Sequence, residues 1–342
     1  MPNENEVEQY VGCLTNALDA VSQAVFVHDS SGALIFENVA ARDLGAARHE
    51  EAGLMRAIEE AVASAREGRF KDRSFSIFGP PRRDFSIRTR PASPERLQIF
   101  VTVIEDLTIR NQLDTIRRDF VANVSHELRT PIGALGLLAE TLAFEEDPKV
   151  RHRLANRIQN ESFRVSKIID DLLDLSRIES EGASQQANFD FVELVADVLE
   201  QMAPAAELAG VSLQFELSGS DFEYRGDKRQ LRSALANLVD NSIKYSEKES
   251  SVNLELARTP STIEISVIDH GIGIPQKDLE RIFERFYRVD QARSRQTGGT
   301  GLGLSIVRHA VGNHNGLVEV ESREGSGSTF RIVLPTKDEE QK

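Results

Sequence analysis

Cysteine is almost missing from this 342-residue chain. Cys13 stands alone, which excludes an internal disulfide framework and any Cys-rich metal site. Positive charge is short as well. Lys and Arg number 41 against 55 Asp and Glu, a formal net charge of −14 at pH 7, and this argues against a nucleic-acid or anionic-lipid partner held by general electrostatics. No apolar run reaches the ~18–20 residues that cross a bilayer; "IGALGLLAETLAF" is amphipathic and interrupted. The opening "MPNENEVEQY" is acidic and polar where a secretory signal is basic and then apolar. These absences lead to the expectation of a cytoplasmic protein without a transmembrane segment, long enough for two or three domains.

Residues 1–108 read as a mixed α/β domain. "AVFVHD" (24–29) and "ALIFEN" (33–38) are short apolar strands around the turn signal "SSG", and Leu54, Ile58 and Val62 at four-residue spacing predict a helix. "RSFSIFG", "DFSIRTR" and "LQIFVTVIED" follow as three more strands, separated by "PP" and "PASP". Two strands, helices, then three strands closing on "VIEDLT" (103–108) resemble a PAS sensor domain. The strands hold no cysteine, which argues against cysteinyl-flavin photochemistry.

The period changes after Thr108. Leu113, Ile116, Phe120, Val124, Leu128 and Ile132 recur every three or four residues, one stripe of a long helix. After the polar break "EEDPK" (145–149), Ile158, Val165 and Leu172 lie seven apart, and Leu154, Ile168 and Leu175 make a companion stripe. A hairpin of this length (109–182) cannot bury both stripes by itself, so pairing into a four-helix bundle, a homodimer, is predicted. From residue 188 to 337 helices and alternating strands mix again, as in "DKRQLRSALANLVDNSIKYS", "SVNLELAR", "TIEISVIDH" and "STFRIVLP". This order predicts a two-layer α/β sandwich, and the whole chain is an α+β multidomain protein.

Within "FVANVSHELRTPIGAL" (120–135), His126 falls on the wet side of the helix, away from Val124 and Leu128. Glu127 beside it can accept the Nδ1–H and leave Nε2 as a nucleophile. Thr130 lies four residues on, on the same face as His126, and Pro131 predicts a bend.

"SHELRTP" resembles the phosphoacceptor box of sensor histidine kinases. "NLVDN" (237–241), "DHGIG" (269–273), "FERFYR" (283–288) and "GGTGLGL" (298–304) resemble the other boxes of that family, in the family's order. The resemblance covers about residues 109–336 and lies nearest the phosphate-sensing branch. It implies that His126 is phosphorylated from Mg·ATP, with Glu127 as general base and Thr130 aligning a water for the reverse, dephosphorylating reaction. The phosphoryl group then passes to an aspartate of a response regulator. It implies Mg²⁺ at Asn241, and ATP held by Asn237, Lys244, Tyr245, Asp269, Gly271, Gly273, Arg288, Gly299, Gly301, Leu302 and Gly303. Among these, Tyr245 lies against adenine, Asp269 reads its amino group, and Arg288 steadies the γ-phosphate. His270 departs from the family's commoner Asn or Thr.

"GGTGLGL" lacks the Walker-A lysine and is no dinucleotide fingerprint; its glycines run instead into "LSIVRHAV", a helix whose N-terminal amides can hold phosphate. Segment 288–300, with Asp290, Ser294 and Thr297, has no apolar periodicity and reads as a lid. Two alternatives stand beside the kinase reading. One is an ATPase on the same nucleotide fold, although such proteins lack a "HELRTP" helix; the other is a phosphatase-biased sensor or scaffold with little kinase activity.

Overall fold

The computed structural model describes residues 4–45, 51–70, 72–77, 82–92, 99–182, 185–289 and 299–336. The chain divides into two units, Met1–Asp119 and Phe120–Lys342.

The first unit begins with a helix, α1 (Glu4–Asp19), which the polar opening stretch did not predict. Five antiparallel strands follow: β1 (Ala24–His28), β2 (Leu34–Glu37), β3 (Arg73–Ile77), β4 (Arg83–Pro91) and β5 (Phe100–Asp106), in the spatial order β2-β1-β5-β4-β3. Between β2 and β3 lie α2 (Val39–Gly45) and α3 (Glu51–Arg66). Leu54, Ile58 and Val62 of α3 are buried in one cluster with Phe26, Phe85, Ile87 and Ile104, so the four-residue spacing is the seam between helix and sheet. The side chain of Asn38, fully buried, accepts from Val25 N and donates to the Leu18 carbonyl, both at 2.9 Å, tying the end of α1 to β1.

Helix α4 (Thr108–Phe144) starts against this sheet: Asp84 N donates to Thr108 Oγ1 at 2.9 Å, and Leu107 N to the Asp84 carbonyl at 2.8 Å. Pro131 does not end α4, and its ring is buried. The Glu127 carbonyl loses its helical donor there, since proline has no N–H. Helix α5 (Pro148–Glu181) is opened by Asp147, whose carboxylate accepts from Lys149 N at 2.8 Å, with Pro148 in the first turn where its missing N–H costs nothing. Leu154, Ile168 and Leu175 of the sequence stripe are buried, and so is Ile178.

The rest of the second unit is a mixed sheet under three helices. Strands β7 (Ser212–Ser218), β9 (Ser251–Arg258), β10 (Thr262–Asp269), β11 (Leu317–Arg323) and β12 (Gly327–Pro335) run in the order β11-β12-β10-β9-β7, and only the β7–β9 pair is parallel. Val252, Leu254 and Leu256 of β9, and Ile263, Ile265 and Val267 of β10, point at two-residue spacing into one core. That core also takes Leu194 and Val198 of α6 (Phe191–Ala209), Leu235, Leu238 and Val239 of α7 (Lys228–Tyr245), and Ile306 and Val307 of α8 (Gly303–Gly312). One feature escaped the hydrophobic pattern. Ala187–Asp190 (β6) pairs with Glu223–Gly226 (β8) as a two-stranded ribbon, so α6 begins only after Phe189.

Candidate active site

Helix α7 turns Asn237, Asp240, Asn241 and Lys244 to one side, while Leu235, Leu238 and Val239 go into the core. They form one wall of an open cleft of about 1130 Å³, counted to its mouth. Tyr245 and Asp269, the last residues of α7 and β10, line it as well, with Gly273, Arg288, Gly299 and Gly301 on the facing loops and Gly303 at the start of α8. Ten of the twelve residues expected around nucleotide and metal line this cleft; Gly271 and Leu302 do not. Leu302 has a fully buried side chain in the hydrophobic core, and its N–H donates to Oγ1 of the cleft residue Thr300 at 3.2 Å.

Asp269 is 6 % exposed. Its Oδ1 accepts from Gly271 N at 2.9 Å and Ser328 N at 3.2 Å, while Oδ2 lies 3.5 Å from Ser242 Oγ. Burial pushes its pKa up, against the pull of those donors. The carboxylate is thus fixed by its backbone partners and retains acceptor capacity for a ligand amino group. Two glycines are demanded by geometry. Gly273 has φ +64° and a Cβ there would run into the Arg323 carbonyl. Gly301 has φ +73°, a Cβ there would lie 2.8 Å from Phe286 Cα, and its carbonyl accepts from Phe286 N at 2.8 Å, stapling the "FERFYR" segment to the glycine loop.

Asp240 sits between two ammonium groups. Its Oδ2 accepts from Lys244 Nζ at 2.7 Å and also from Lys167 Nζ of α5. Burial alone would raise the Asp240 pKa, but Lys244 and Lys167 outweigh it and hold the carboxylate below its usual range. One turn on, Asp171 is buried and accepts from Thr300 Oγ1 at 2.6 Å; burial pushes its pKa up. None of Lys167, Asp171, Asp240 and Thr300 was singled out from the sequence. The only available signal was the pair of polar residues at 167 and 171, four apart beside a buried stripe.

On α4, His126 is exposed and Glu127 half-buried. The expected Glu127–His126 hydrogen bond is not formed: Glu127 Oε2 instead accepts from Arg288 Nη2 at 2.8 Å. Arg288 is 8 % exposed in its side chain, and its buried Nε has no hydrogen-bond partner among the described residues. Thr130 Oγ1 donates back to the His126 carbonyl at 3.3 Å. Of the expected lid, Asp290, Ser294 and Thr297 lie outside the described residues.

Asn241 is the expected metal ligand, and its amide oxygen is a hard donor of the kind magnesium takes. No group of three His, Cys, Asp or Glu side chains gathers around a metal position among the described residues, and the Asn241 amide faces the cleft without a hydrogen bond to any described residue. Magnesium takes few protein oxygens and completes its shell with phosphate and water. Among the described residues no helix is long and apolar enough to cross a membrane.

The chain is similar to known families and proteins. The family described as His Kinase A (phospho-acceptor) domain matches residues 116–181, and that described as histidine kinase-, DNA gyrase B- and HSP90-like ATPase matches residues 226–338. Sensor-like histidine kinase SenX3 of Mycolicibacterium smegmatis is 40 % identical over 265 residues, 76 % of this chain and 68 % of that one. SenX3 of Mycobacterium tuberculosis H37Rv is 36 % identical over 334 residues, 96 % and 80 % of the two chains. The phosphate regulon sensor protein PhoR of Pseudomonas aeruginosa is 34 % identical over 324 residues, 91 % and 71 %. The crystal structure of histidine kinase ThkA in complex with response regulator protein TrrA shares the fold, with TM-score 0.55 and 22 % identity over 95 % of this chain and 99 % of that one. A helix presenting an exposed histidine, a glycine-walled cleft and relatives similar over most of their length make this chain a member of the sensor histidine kinases, ATP-dependent enzymes of two-component signalling.

Proposed function

We propose that His126 takes the γ-phosphoryl group of ATP and passes it to an aspartate of a response-regulator receiver domain, with the nucleotide held in the α7 cleft. The observation that carries this reading is the Arg288–Glu127 ion pair, because it joins a residue of the cleft to the neighbour of the exposed histidine. Nε2 of His126 forms a bond to the γ-phosphorus as the bond from that phosphorus to the bridging oxygen breaks, and the electron pair leaves with ADP. Glu127 orients the imidazole through Nδ1–H once Arg288 turns to the phosphate, for which its unpartnered Nε is a ready donor. Asn241 would hold Mg²⁺ through its amide oxygen, and the ion supplies charge neutralisation for the triphosphate. Asp269 reads the adenine amino group, Tyr245 lies along the base, and Lys244 faces the phosphates. Thr130, on the histidine's own face, positions a water for dephosphorylation of the regulator.

The chain is read as a sensor domain (1–108), a dimerising hairpin (109–182) and a catalytic domain (188–337). The sheet order β2-β1-β5-β4-β3 with helices inserted after β2 supports a PAS-type sensor. Similarity to a phosphate regulon sensor supports the phosphate-responsive branch as its setting. The exposed apolar residues of α4 and α5 support a homodimer.

The test is incubation of the full chain with Mg²⁺ and ATP labelled at the γ-phosphorus. Acid-labile, base-stable label is expected on the wild type and none on His126→Gln; such label on the variant would sink the assignment. The clamped Glu127 also favours one alternative, a phosphatase-biased sensor. That reading gains if the wild type binds ATP and dephosphorylates a regulator yet takes up no label.

A further inference from the structure

The cleft contains a cation that does not come from the ATP-binding domain. Lys167 belongs to α5, the second helix of the histidine-bearing hairpin, yet its side chain lines the cleft with Asn241 and Lys244. Its Nζ shares Oδ2 of Asp240 with Lys244 Nζ. Two ammonium groups carry six N–H donors and two positive charges, and a single carboxylate oxygen can satisfy only a small part of either. Lys167, Lys244 and Asp240 together carry one net positive charge and spare N–H donors at the wall of the cleft, with the buried Asp171 carboxyl close enough to act on both lysines. Neither lysine is fully sequestered: the side chain of Lys167 is 38 % exposed and that of Lys244 is 22 % exposed. A second contact holds the same face of α5 in place. Asp171, one turn on from Lys167, accepts from Thr300 of the second glycine loop at 2.6 Å, so α5 is fixed to both walls between which phosphates would lie.

We propose that Lys167 is a polyphosphate-binding residue supplied in cis by the hairpin, and that Asp240 bridges it and Lys244 until nucleotide arrives. The inference rests on the reading of the α7 cleft as the ATP site. When a triphosphate enters, its oxygens compete with Asp240 for both ammonium groups, and Lys167 turns from the carboxylate to the phosphates. Nucleotide binding then replaces the Lys167–Asp240 link between α5 and the cleft with one through the phosphates, while the Asp171–Thr300 contact keeps α5 in place. Adenine recognition at Asp269, the last residue of β10, is untouched.

The experiment is equilibrium binding of ATP and of AMP to the full-length protein, wild type and the Lys167→Met and Lys167→Arg variants, at fixed Mg²⁺ and salt. Methionine keeps the length and packing of the stem but removes the charge; arginine keeps the charge. Lys167→Met is expected to weaken ATP about five- to thirtyfold while AMP changes less than twofold, and Lys167→Arg to stay within about threefold of wild type for ATP. ATP affinity unchanged in Lys167→Met overturns the proposal. So does an arginine variant as weak as the methionine one, or a parallel loss of AMP, because each marks a packing contact rather than a phosphate ligand. A wild type that binds neither nucleotide overturns the reading of the cleft itself, a different outcome from wild-type binding that Lys167→Met leaves intact.

Discussion

At the scale of single residues, Asp269 is a buried group held by fixed partners. Asp269 keeps one carboxylate oxygen on two backbone N–H groups and leaves the other near Ser242. Asp269→Asn can preserve the first oxygen's bonds, so the fold survives, but it turns an amide donor toward whatever the second oxygen accepts. ATP binding should weaken about ten- to hundredfold, the order lost when a buried hydrogen bond becomes a clash of donors. Titration of ATP at saturating Mg²⁺ measures it, and wild-type affinity in the variant would remove Asp269 from base reading. His314 gives a second test at this scale. Its Nε2 accepts from Asp227 N at 2.8 Å and its Nδ1 lies 2.7 Å from the Ala310 carbonyl, an arrangement that needs the neutral ring. Burial lowers its pKa from 6.5. The unfolded chain therefore binds a proton more readily than the folded one, so this contribution to stability is complete above about pH 6.5 and is lost as the pH falls below it. The buried carboxylates Asp171 and Asp269 have raised pKa values and act with the opposite sign, so the comparison must be with His314→Gln. Between pH 8 and pH 5 the melting temperature of the wild type should fall more steeply than that of the variant. Parallel curves would show that His314 does not titrate with unfolding.

At the scale of elements, α4 spans residues of both units, and its first turn is bolted to the sheet of the first unit. Thr108 Oγ1 and the Leu107 N–H both bond the Asp84 backbone, Asn111 Nδ2 reaches the Asp84 carboxylate at 3.4 Å, and Arg83 pairs with Asp106 at 2.7 Å. From Thr108 the helix continues without a break through His126. An uninterrupted helix carries rotation from one end to the other, which a flexible linker cannot do. One residue inserted after Asn111 would turn the lower helix by about 100° relative to the sheet, and seven would nearly restore the phase at 3.6 residues per turn. The autophosphorylation rate should change sharply with one inserted residue and largely recover with seven. A flat series from zero to seven insertions would mean that the first unit does not act on the histidine through this helix.

At the scale of the molecule, the two long helices leave apolar side chains in water. Val121, Ile132 and Leu137 on α4, and Phe163, Ile169 and Leu173 on α5, are exposed, although the heptad residues Ile168 and Leu175 are buried. A second copy would cover them in a four-helix bundle. Light scattering should give twice the 38.0 kDa chain mass for the wild type, and Ile169→Glu with Leu173→Glu should shift it toward one. A double variant that stays dimeric would place the interface elsewhere.

The sequence by itself determined what depends on neighbours along the chain. The spacing of Leu54, Ile58 and Val62 marked α3, the stripes through Leu154, Ile168 and Leu175 marked the hairpin, and two-residue alternation marked β9 and β10. Glycines with forced approaches, such as Gly273 and Gly301, were visible because only glycine can occupy such positions. The ribbon of β6 with β8 was not visible, since four-residue strands are too short to show a period. Nor were the choices among charged partners. Glu127 has His126 beside it in sequence, yet it pairs with Arg288, 161 residues away, and Lys167 meets Asp240 across 73 residues. An exposed carboxylate has many cations within reach in an unfolded chain. Which one it takes is decided when packed helices bring a particular guanidinium or ammonium group out of water beside it, because only there does a single ion pair outweigh solvation.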